Sequence, residues 1–164
     1  RTTNVQRIGR PRLGAVMTES PAETLGPAVR SLTARPFGWQ AVTPLQGAFA
    51  KLTMYAVEDE DAAVAAHGDA PDTSAHAVFG CRSAAWAGNC VAIGQAAALL
   101  DPLTPAPMML LQRDVERLLS LIPLSGDMAI ERREFNRQFD NDYTHSELFS
   151  SALMSPASTC AGAY

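Results

Sequence analysis

The sequence has little of what cofactor-binding and catalytic motifs are commonly built from. Its three cysteines contain no CxxC pair, which argues against a zinc site or a disulfide framework and favours a reducing, cytoplasmic compartment. Neither GxGxxG, which holds a dinucleotide pyrophosphate, nor the GxSxG of a nucleophile elbow occurs. No apolar run is long enough to cross a bilayer, and a net charge of −4 argues against nucleic acid or an anionic membrane as a partner.

Titratable residues that could carry chemistry are scarce or scattered. Lys51 is the only lysine, and it lies in a predicted strand as a solvated residue. The carboxylates of Glu58–Asp61 predict the acidic start of a short helix, Glu58–Ala66, because successive side chains there point in different directions and cannot share a metal. The three histidines share no helical face: His67, His76 and His145. The sequence therefore predicts no metal site and identifies no catalytic residue.

What the chain does have is enough apolar sequence for a globular core. It contains 164 residues, of which 47% are hydrophobic. Candidate strands fill residues 13 to about 93 and candidate helices follow from about 96 to 148, which predicts an α+β fold of antiparallel strands followed by a helical C-terminal segment. We expect residues 1–11 to be flexible, residues 12–153 to form the folded region, and the Ser/Ala/Pro-rich residues 154–164 to be a disordered tail.

The strand pattern is clearest in Phe49–Val57, where Ala50, Leu52, Met54 and Ala56 form the predicted core face. Shorter strands are predicted at Leu13–Met17, Ala75–Gly80 and Cys90–Ile93, the last of which should bury Cys90. The extended segment Trp39–Thr43 is expected to end at Pro44, because proline cannot donate a backbone hydrogen bond.

Two helices are predicted near the C-terminal end. Pro107–Ile122 has apolar residues at three- and four-residue steps, and the residues of that predicted buried face are Met108, Leu111, Val115, Leu118 and Ile122. The polar residues expected on the opposite face are Gln112, Arg113, Glu116, Arg117 and Ser120. A second helix, from about Asp127 to His145, places Phe135, Phe139 and Tyr143 on one stripe, which we interpret as core.

The segment Trp86–Pro123 combines a short apolar run, a glycine, small residues and a helix. It reads WAGNCVAIGQAAALLDPLTPAPMMLLQRDVERLLSLIP. This order places backbone N–H groups beside a helix start, where an anion or a polar ring edge can dock. It resembles a stretch of the flavin-dependent tryptophan halogenases, in which GNCVA-(L/I)-G and small residues precede a Glu-Pro-Leu-Glu-Ser-Thr turn and a helix.

A second segment, Phe37–Gln46, is similar to the family's Gly-Trp-x-Trp-x-Ile-Pro-Leu motif. Gly38, Trp39, Pro44 and Leu45 match, whereas Ala41 replaces the second tryptophan and Thr43 the isoleucine. Together the two segments extend the resemblance over roughly residues 12 to 145. It implies that the chain corresponds to the second half of a longer protein, the substrate- and flavin-wall part of an FAD-dependent monooxygenase-type fold.

The resemblance also implies where a cofactor and a substrate would lie. FAD would contact seven residues: Gly94, Gln95, Ala96, Ala97, Asp101, Pro102 and Leu103. Trp39 and Thr104 would line a pocket for an aromatic small molecule. For Asp101, a turn residue ahead of Pro102 is as good an interpretation, and for Trp39 a buried core position is favoured.

The chain departs from the family pattern where the chemistry is performed. Thr104 stands at the second glutamate of the family turn, and Pro105 and Ala106 replace the Ser-Thr pair that binds halide. Proline lacks a donor N–H and alanine lacks a hydroxyl, so a halide would lose ligands at both positions. The family's catalytic lysine lies in its N-terminal part and has no counterpart here.

Two functions therefore stay open from the sequence, and catalysis is not decided. The first is a partial halogenase-like flavoprotein that contributes the flavin-ring wall and an aromatic-substrate pocket and does not halogenate alone. The second is a non-catalytic interaction module that keeps the scaffold. Its partner would be the missing N-terminal half, a second copy of the chain or another protein.

Overall fold

The protein, seen in a computed structural model, is described for residues 5–6, 12–22, 28–122, 126 and 128–154. In chain order the strands are β1 Val5–Gln6, β2 Leu13–Pro21, β3 Ser31–Arg35, β4 Gly38–Leu45, β5 Ala48–Ala56, β6 Thr73–Ala77, β7 Gly80–Arg82, β8 Trp86–Ala87, β9 Cys90–Val91 and β10 Ala98–Leu99. The helices are α1 Glu60–His67, α2 Ala106–Leu121 and α3 Ala129–Met154, and single 3-10 turns lie at Val57–Asp59 and Gly94–Ala96. The predicted α+β fold is confirmed.

The predicted flexible N-terminus and the predicted disordered tail fall largely outside the described residues, at positions 1–4, 7–11 and 155–164. Within the segment predicted to be flexible, Val5 pairs with Arg82 and Gln6 with Cys81, and the flexibility of the segment stays a prediction. Helix α3 reaches Met154 rather than ending near His145, because no proline or glycine interrupts that stretch. Among the described helices, none is long and apolar enough to cross a membrane.

The described residues form two compact units. The first, within residues 12–78, is a five-stranded antiparallel sheet in the order β3-β4-β5-β2-β6, with α1 packed on β5 and β2. We call it the sheet unit. Its central register pairs Leu13 with Ala56 and Pro21 with Ala48, so β2 continues well beyond the predicted Met17.

Proline does not interrupt β4, which is where the sequence prediction was wrong. Pro44 lies inside β4 and is paired with Phe49 of β5. The neighbour on the other side, β3, extends only as far as the Ser31–Val42 pair. Pro44 therefore lies on an open edge, where no partner strand needs its missing N–H.

The core face of β5 was only partly predicted. Met54 and Ala56 are buried as expected, but Thr53 and Tyr55 on the opposite face are fully buried as well. Helix α1 covers that second face and places Ala63 in the cluster with Tyr55. An alternating pattern shows one buried face; it does not show that a helix covers the other.

Tyr55 and Gly14 fit together across neighbouring strands. Gly14 of β2 is opposite Tyr55 in the register, and a Cβ at position 14 would lie 2.3 Å from a Tyr55 ring carbon. The Tyr55 hydroxyl donates to Glu60 Oε1 at 3.1 Å, and burial together with this carboxylate raises the pKa of Tyr55 to about 12. Glycine at 14 is therefore needed for space.

Buried polar groups tie α1 to the sheet. Thr18 Oγ1 and Thr53 Oγ1 each lie 2.8 Å from a ring nitrogen of the fully buried His67, and Gln40 Nε2 donates to Thr53 Oγ1. Since Thr18 donates to the Ala70 carbonyl, the consistent assignment is a neutral ring that donates from Nε2 and accepts at Nδ1. Burial lowers the pKa of His67, and the nearby Lys51 charge lowers it further.

The second unit, 79–154 with strand β1, contains α2, α3 and the small strands. We call it the helical unit. Its core includes the predicted aromatic stripe, since Phe135, Phe139 and Tyr143 are all buried. They pack with Cys81 and Trp86, and the ring centroids of Trp86 and Phe135 lie 5.7 Å apart, edge to face.

The β8–β9 hairpin is fixed to α3 by one amide side chain. Trp86 N–H donates to Asn136 Oδ1 at 2.8 Å, and Asn136 Nδ2 donates to the Trp86 carbonyl at 2.9 Å. The predicted strand Cys90–Ile93 is shorter than expected, and Cys90 is exposed rather than buried. Val91, the other residue of this strand, packs against the core, and Cys90 lies on the opposite, exposed face because successive strand side chains alternate.

The buried face of α2 differs from the prediction. Met108, Val115 and Ile122 are exposed, whereas Asp114 and Arg117 are buried. Leu118 does pack toward the core, as expected. The arc of α2 that faces α3 therefore includes Asp114 and Arg117, whose opposite charges pair there.

We predict that His67 makes the sheet unit sensitive to acid. Its pKa in the folded state lies below the unfolded value of 6.5, so stability is complete above that pH and falls as the unfolded chain takes up the proton first. The loss should approach about 1.4 kcal/mol per pH unit in the window between 6.5 and the folded pKa. Thermal or urea unfolding from about pH 7.5 down to pH 5 measures it.

His67→Gln should remove this part of the pH dependence, whereas the matched variant His76→Gln, at a half-exposed histidine, should retain it. An unchanged pH slope in His67→Gln would contradict the assignment of a neutral buried ring.

Candidate functional site

The turn Gly94–Ala97 presents two faces. Gly94 has φ +56°, and Ala97 N–H donates to the Gly94 carbonyl at 2.9 Å, which closes a tight 3-10 turn. Ala97 is buried among the core aromatics, whereas Gln95 and Ala96 are exposed. A ligand at this turn would therefore meet Gln95 and Ala96 and not the methyl group of Ala97.

Helix α2 supports this turn from one side. A Cβ on residue 94 would lie 3.0 Å from Leu111 Cδ1, so the turn sits close against the helix. Three residues further along α2 lies Asp114, whose side chain is buried. Leu111 and Asp114, three residues apart, lie on the same helical face.

The predicted cofactor residues Asp101–Leu103 and the pocket residue Thr104 form the turn that leads into α2. Asp101 is buried and accepts from Leu103 N–H at 2.9 Å, which is the geometry of an Asx turn. Thr104 is also buried, and its Oγ1 accepts from Ala106 N–H at 3.3 Å. Both side chains thus act on the local backbone, and their roles toward a ligand stay predictions.

Trp39 lies in the sheet unit and the other predicted site residues lie in the helical unit. Its ring is 2% exposed, and the Arg30 guanidinium carbon lies 5.8 Å from the ring centroid. This is the core position that was favoured from the sequence. A role for Trp39 as a pocket wall stays a prediction.

Lys51 has a structural role in the sheet unit. Its Nζ donates to the His67 carbonyl and lies 3.7 Å from Asp69 Oδ2, with the side chain 31% exposed. Lys51 therefore caps the C-terminal end of α1, where carbonyls lack helical partners.

A buried cluster of charged side chains lies between α2 and α3, and we call it the Arg117 network. The sequence did not predict it. Arg117 Nη1 lies 3.2 Å from Asp114 Oδ1, its Nη2 donates to Asp142 Oδ2, and its Nε donates to Gln138 Oε1 at 2.8 Å. Arg113 approaches Asp142 from the more exposed side at 3.0 Å. Asp114, Arg117 and Asp142 are each less than 10% exposed.

Burial and charge act in opposite directions on Asp114. Burial raises the pKa of its carboxyl above 3.8, while Arg117 and the Gly94 N–H lower it and Asp142 raises it. The only sequence signal for this cluster is the Asp114–Arg117 spacing of three residues, which alone does not separate a buried pair from a surface one.

The sequence profile described as tryptophan halogenase matches residues 12–152. The chain belongs to the tryptophan halogenase family. No curated protein matches it.

Solved halogenase structures share its fold. Xcc4156, a flavin-dependent halogenase from Xanthomonas campestris, superposes with a TM-score of 0.80 at 24% identity over 90% of this chain and 32% of that one. BrvH, a flavin-dependent halogenase from Brevundimonas sp. BAL3, gives 0.71 at 29% identity over 85% and 31%. The tryptophan 6-halogenase SttH from Streptomyces toxytricini gives 0.69 at 23% identity over 82% and 29%. The chain thus spans about a third of their length.

The described residues suit the ring of a flavin but not its pyrophosphate. Gln95 and Ala96 offer an amide and a small side chain on an exposed tight turn, which suits the edge of a flat polar ring. Within the described ranges, no glycine-rich turn joins a strand to a helix in the way that holds a dinucleotide pyrophosphate. No group of three or more metal-ligating side chains is found in that same part of the chain.

We predict that Arg117→Met destabilises the helical unit by about 3–5 kcal/mol at neutral pH, because Asp114 then stays buried without its ion-pair partner, while Arg113 still pairs with Asp142. The defect should shrink in acid: without Arg117, the folded pKa of Asp114 rises further above its unfolded value, and protonation relieves the repulsion. Urea unfolding at about pH 7 and pH 5 measures both effects.

Arg137→Met is the matched control. Arg137 pairs with Glu134 on the exposed face of α3, three residues apart, and its loss should leave the unfolding midpoint essentially unchanged. Equal effects of the two substitutions would show that burial of Arg117 is not what makes it important.

Proposed function

We propose that this chain contributes the flavin-ring wall and an aromatic-substrate pocket to a flavin-dependent halogenase-like protein of the cytoplasm, and does not halogenate alone. The observation that carries the proposal is the match over residues 12–152, combined with coverage of only 32% of Xcc4156. A flavin supplies oxygen-activating redox chemistry when bound, and this chain would supply surface around the ring.

The exposed side of the Gly94–Ala97 turn supports the flavin part of the proposal. Gln95 can donate and accept through its amide, and Ala96 beside it allows a ring to approach the backbone closely. Leu103 and Asp101, both buried, would hold the neighbouring turn in place behind them.

The turn into α2 supports the absence of independent halogenation. Thr104 offers no carboxylate, and its hydroxyl oxygen already accepts from the Ala106 N–H. Pro105 has no N–H and Ala106 no hydroxyl with which to bind halide. Lys51, the single lysine, is engaged at the end of α1.

The proposed site contacts the flavin ring and has no binding site for the pyrophosphate. We therefore predict that riboflavin, FMN and FAD bind the 164-residue chain with similar affinities, within about threefold, because only the ring is recognised. Fluorescence titration of the three ligands measures this. Ala96→Trp should block binding, whereas Ala87→Trp, at an exposed alanine in the β8–β9 hairpin, should not.

FAD binding that is tighter than riboflavin binding by tenfold or more, about 1.4 kcal/mol, would indicate a phosphate site and contradict the proposed division of the cofactor. Failure of a folded chain to bind any of the three would mean that the wall is not a binding site on its own.

A second function, a non-catalytic interaction module, is favoured by one observation on α2. Met108, Val115, Leu119 and Ile122 are exposed by 69%, 39%, 66% and 56%. Met108, Val115 and Leu119, spaced by seven and four residues, lie on one apolar stripe of α2 like the seam of a paired helix, and Ile122 follows directly after the helix ends. Such a stripe suits a second copy of this chain, lying against the same stripe.

This function predicts concentration-dependent dimers, measured by sedimentation equilibrium. Leu119→Glu should weaken dimerisation by at least about tenfold, because it buries a charge in the seam. Thr144→Glu adds the same charge at an exposed position of α3 and should have no effect. A wild-type chain that is monomeric at all concentrations would exclude the self-paired seam.

A further inference from the structure

We infer that Arg82 is the positioning residue of the Gly94–Ala97 turn, because its side chain and its backbone N–H satisfy two successive carbonyls of that turn. The structural part of this inference concerns only how β7 holds the turn, and it can be tested without a flavin. The part that concerns flavin binding rests on the proposed function.

The last two carbonyls of the turn are both reached from Arg82. Its backbone N–H donates to the Ala97 carbonyl at 2.9 Å, and its side-chain Nε–H donates to the Ala96 carbonyl. The N–H groups of Ala96 and Ala97 are used within the turn, where they donate to the carbonyls of Ile93 and Gly94. Since a single 3-10 turn cannot supply partners for its last carbonyls, these partners come from a neighbouring element.

Strand β7 is itself fixed by other contacts. It lies between β1 and β10, and Cys81 is paired with Ala98 of β10. The Cys81 side chain is buried in the aromatic core of the helical unit. Arg82 therefore connects the turn to a strand whose position does not depend on the turn alone.

The turn is contacted by two elements at two different residues. At its start, a Cβ on Gly94 would lie 3.0 Å from Leu111 Cδ1, which limits how closely the turn approaches α2. At its end, the Ala96 carbonyl is bonded by the Arg82 guanidinium, and a hydrogen bond from a charged donor is about twice as strong as a neutral one. The exposed Gln95 lies in the sequence between these two residues, so its placement depends on both contacts.

Substitutions of Arg82 can separate the Nε–H donor from the positive charge. The side-chain nitrogen of glutamine lies as many bonds from the backbone as the arginine Nε, so Arg82→Gln keeps a donor and loses the charge. Lysine has a methylene group at that place, so Arg82→Lys keeps the charge and loses the donor. Arg82→Met loses both, and the backbone N–H that bonds Ala97 remains in all three variants.

The experiment is amide hydrogen exchange of the 164-residue chain, followed by NMR at Ala97 and compared with the amides of α2. The Ala97 N–H belongs to the same peptide group as the Ala96 carbonyl, so it reports whether that group is held. Arg82→Met and Arg82→Lys should each speed exchange at Ala97 by at least about tenfold, because the turn opens more often without the donor. Arg82→Gln should stay within about threefold of the wild type.

Arg137→Met is the matched control, since it removes an exposed arginine of α3 and should leave exchange at Ala97 unchanged. Unchanged exchange in Arg82→Met would show that the turn does not need this support. Equally fast exchange in Arg82→Gln and Arg82→Lys would show that the Nε–H donor is not what holds the turn, even where Arg82→Met fails to fold. Either result overturns the inference.

Riboflavin titration of the same variants extends the inference to the proposed site. Where the wild type binds riboflavin, Arg82→Met and Arg82→Lys should raise its Kd by about tenfold, and Arg82→Gln should keep it within about threefold. Weak binding by Arg82→Gln with Ala97 still protected would show that the flavin responds to the charge and not to the position of the turn, which overturns the flavin part. If the wild type binds no flavin, the proposed wall fails, whereas exchange at Ala97 still decides whether Arg82 positions the turn.

Discussion

The arrangement of the helical unit depends on one buried guanidinium. Arg117 lies between two carboxylates, Asp114 of its own helix and Asp142 of α3, and its guanidinium carbon is 5.5 Å from the Phe135 ring centroid. Burying three charges is costly, and well-packed apolar residues in their place are often neutral or more stable. Such a network selects one register of two helices, because any other would leave a charge without its partner.

Buried polar groups also fix the position of a helix in the sheet unit. The central residue there, His67, is neutral. His67 ends α1 and accepts and donates between Thr18 and Thr53, so the helix is joined to β2 and β5 by directed bonds. In both units, apolar packing supplies the bulk of the burial, and a few buried polar side chains determine how a helix is placed on its neighbour.

Much of the fold can be predicted from local sequence patterns. The features that were not predicted have one physical cause, which is contact between residues distant in the sequence. The aromatic stripe of α3 and the proline-marked turn at Asp101 were predicted because periodicity and backbone restriction act over a few residues. The buried arc of α2 was not, since Asp114 and Arg117 read as surface residues until Asp142, 25 residues beyond Arg117, is brought to them. The outward face of the Gly94–Ala97 turn likewise depends on the distant residues that cover Ala97.

Because Gly14 and Tyr55 fit together, substitutions at these two positions constrain each other during evolution. A larger residue at 14 meets the tyrosine ring, and a smaller residue at 55 opens a cavity beneath α1 and leaves Glu60 without the hydroxyl. Each position is therefore restricted by the other. An exchange of sizes between the two strands would have to pass through a less stable intermediate sequence, so we expect relatives to change both positions together.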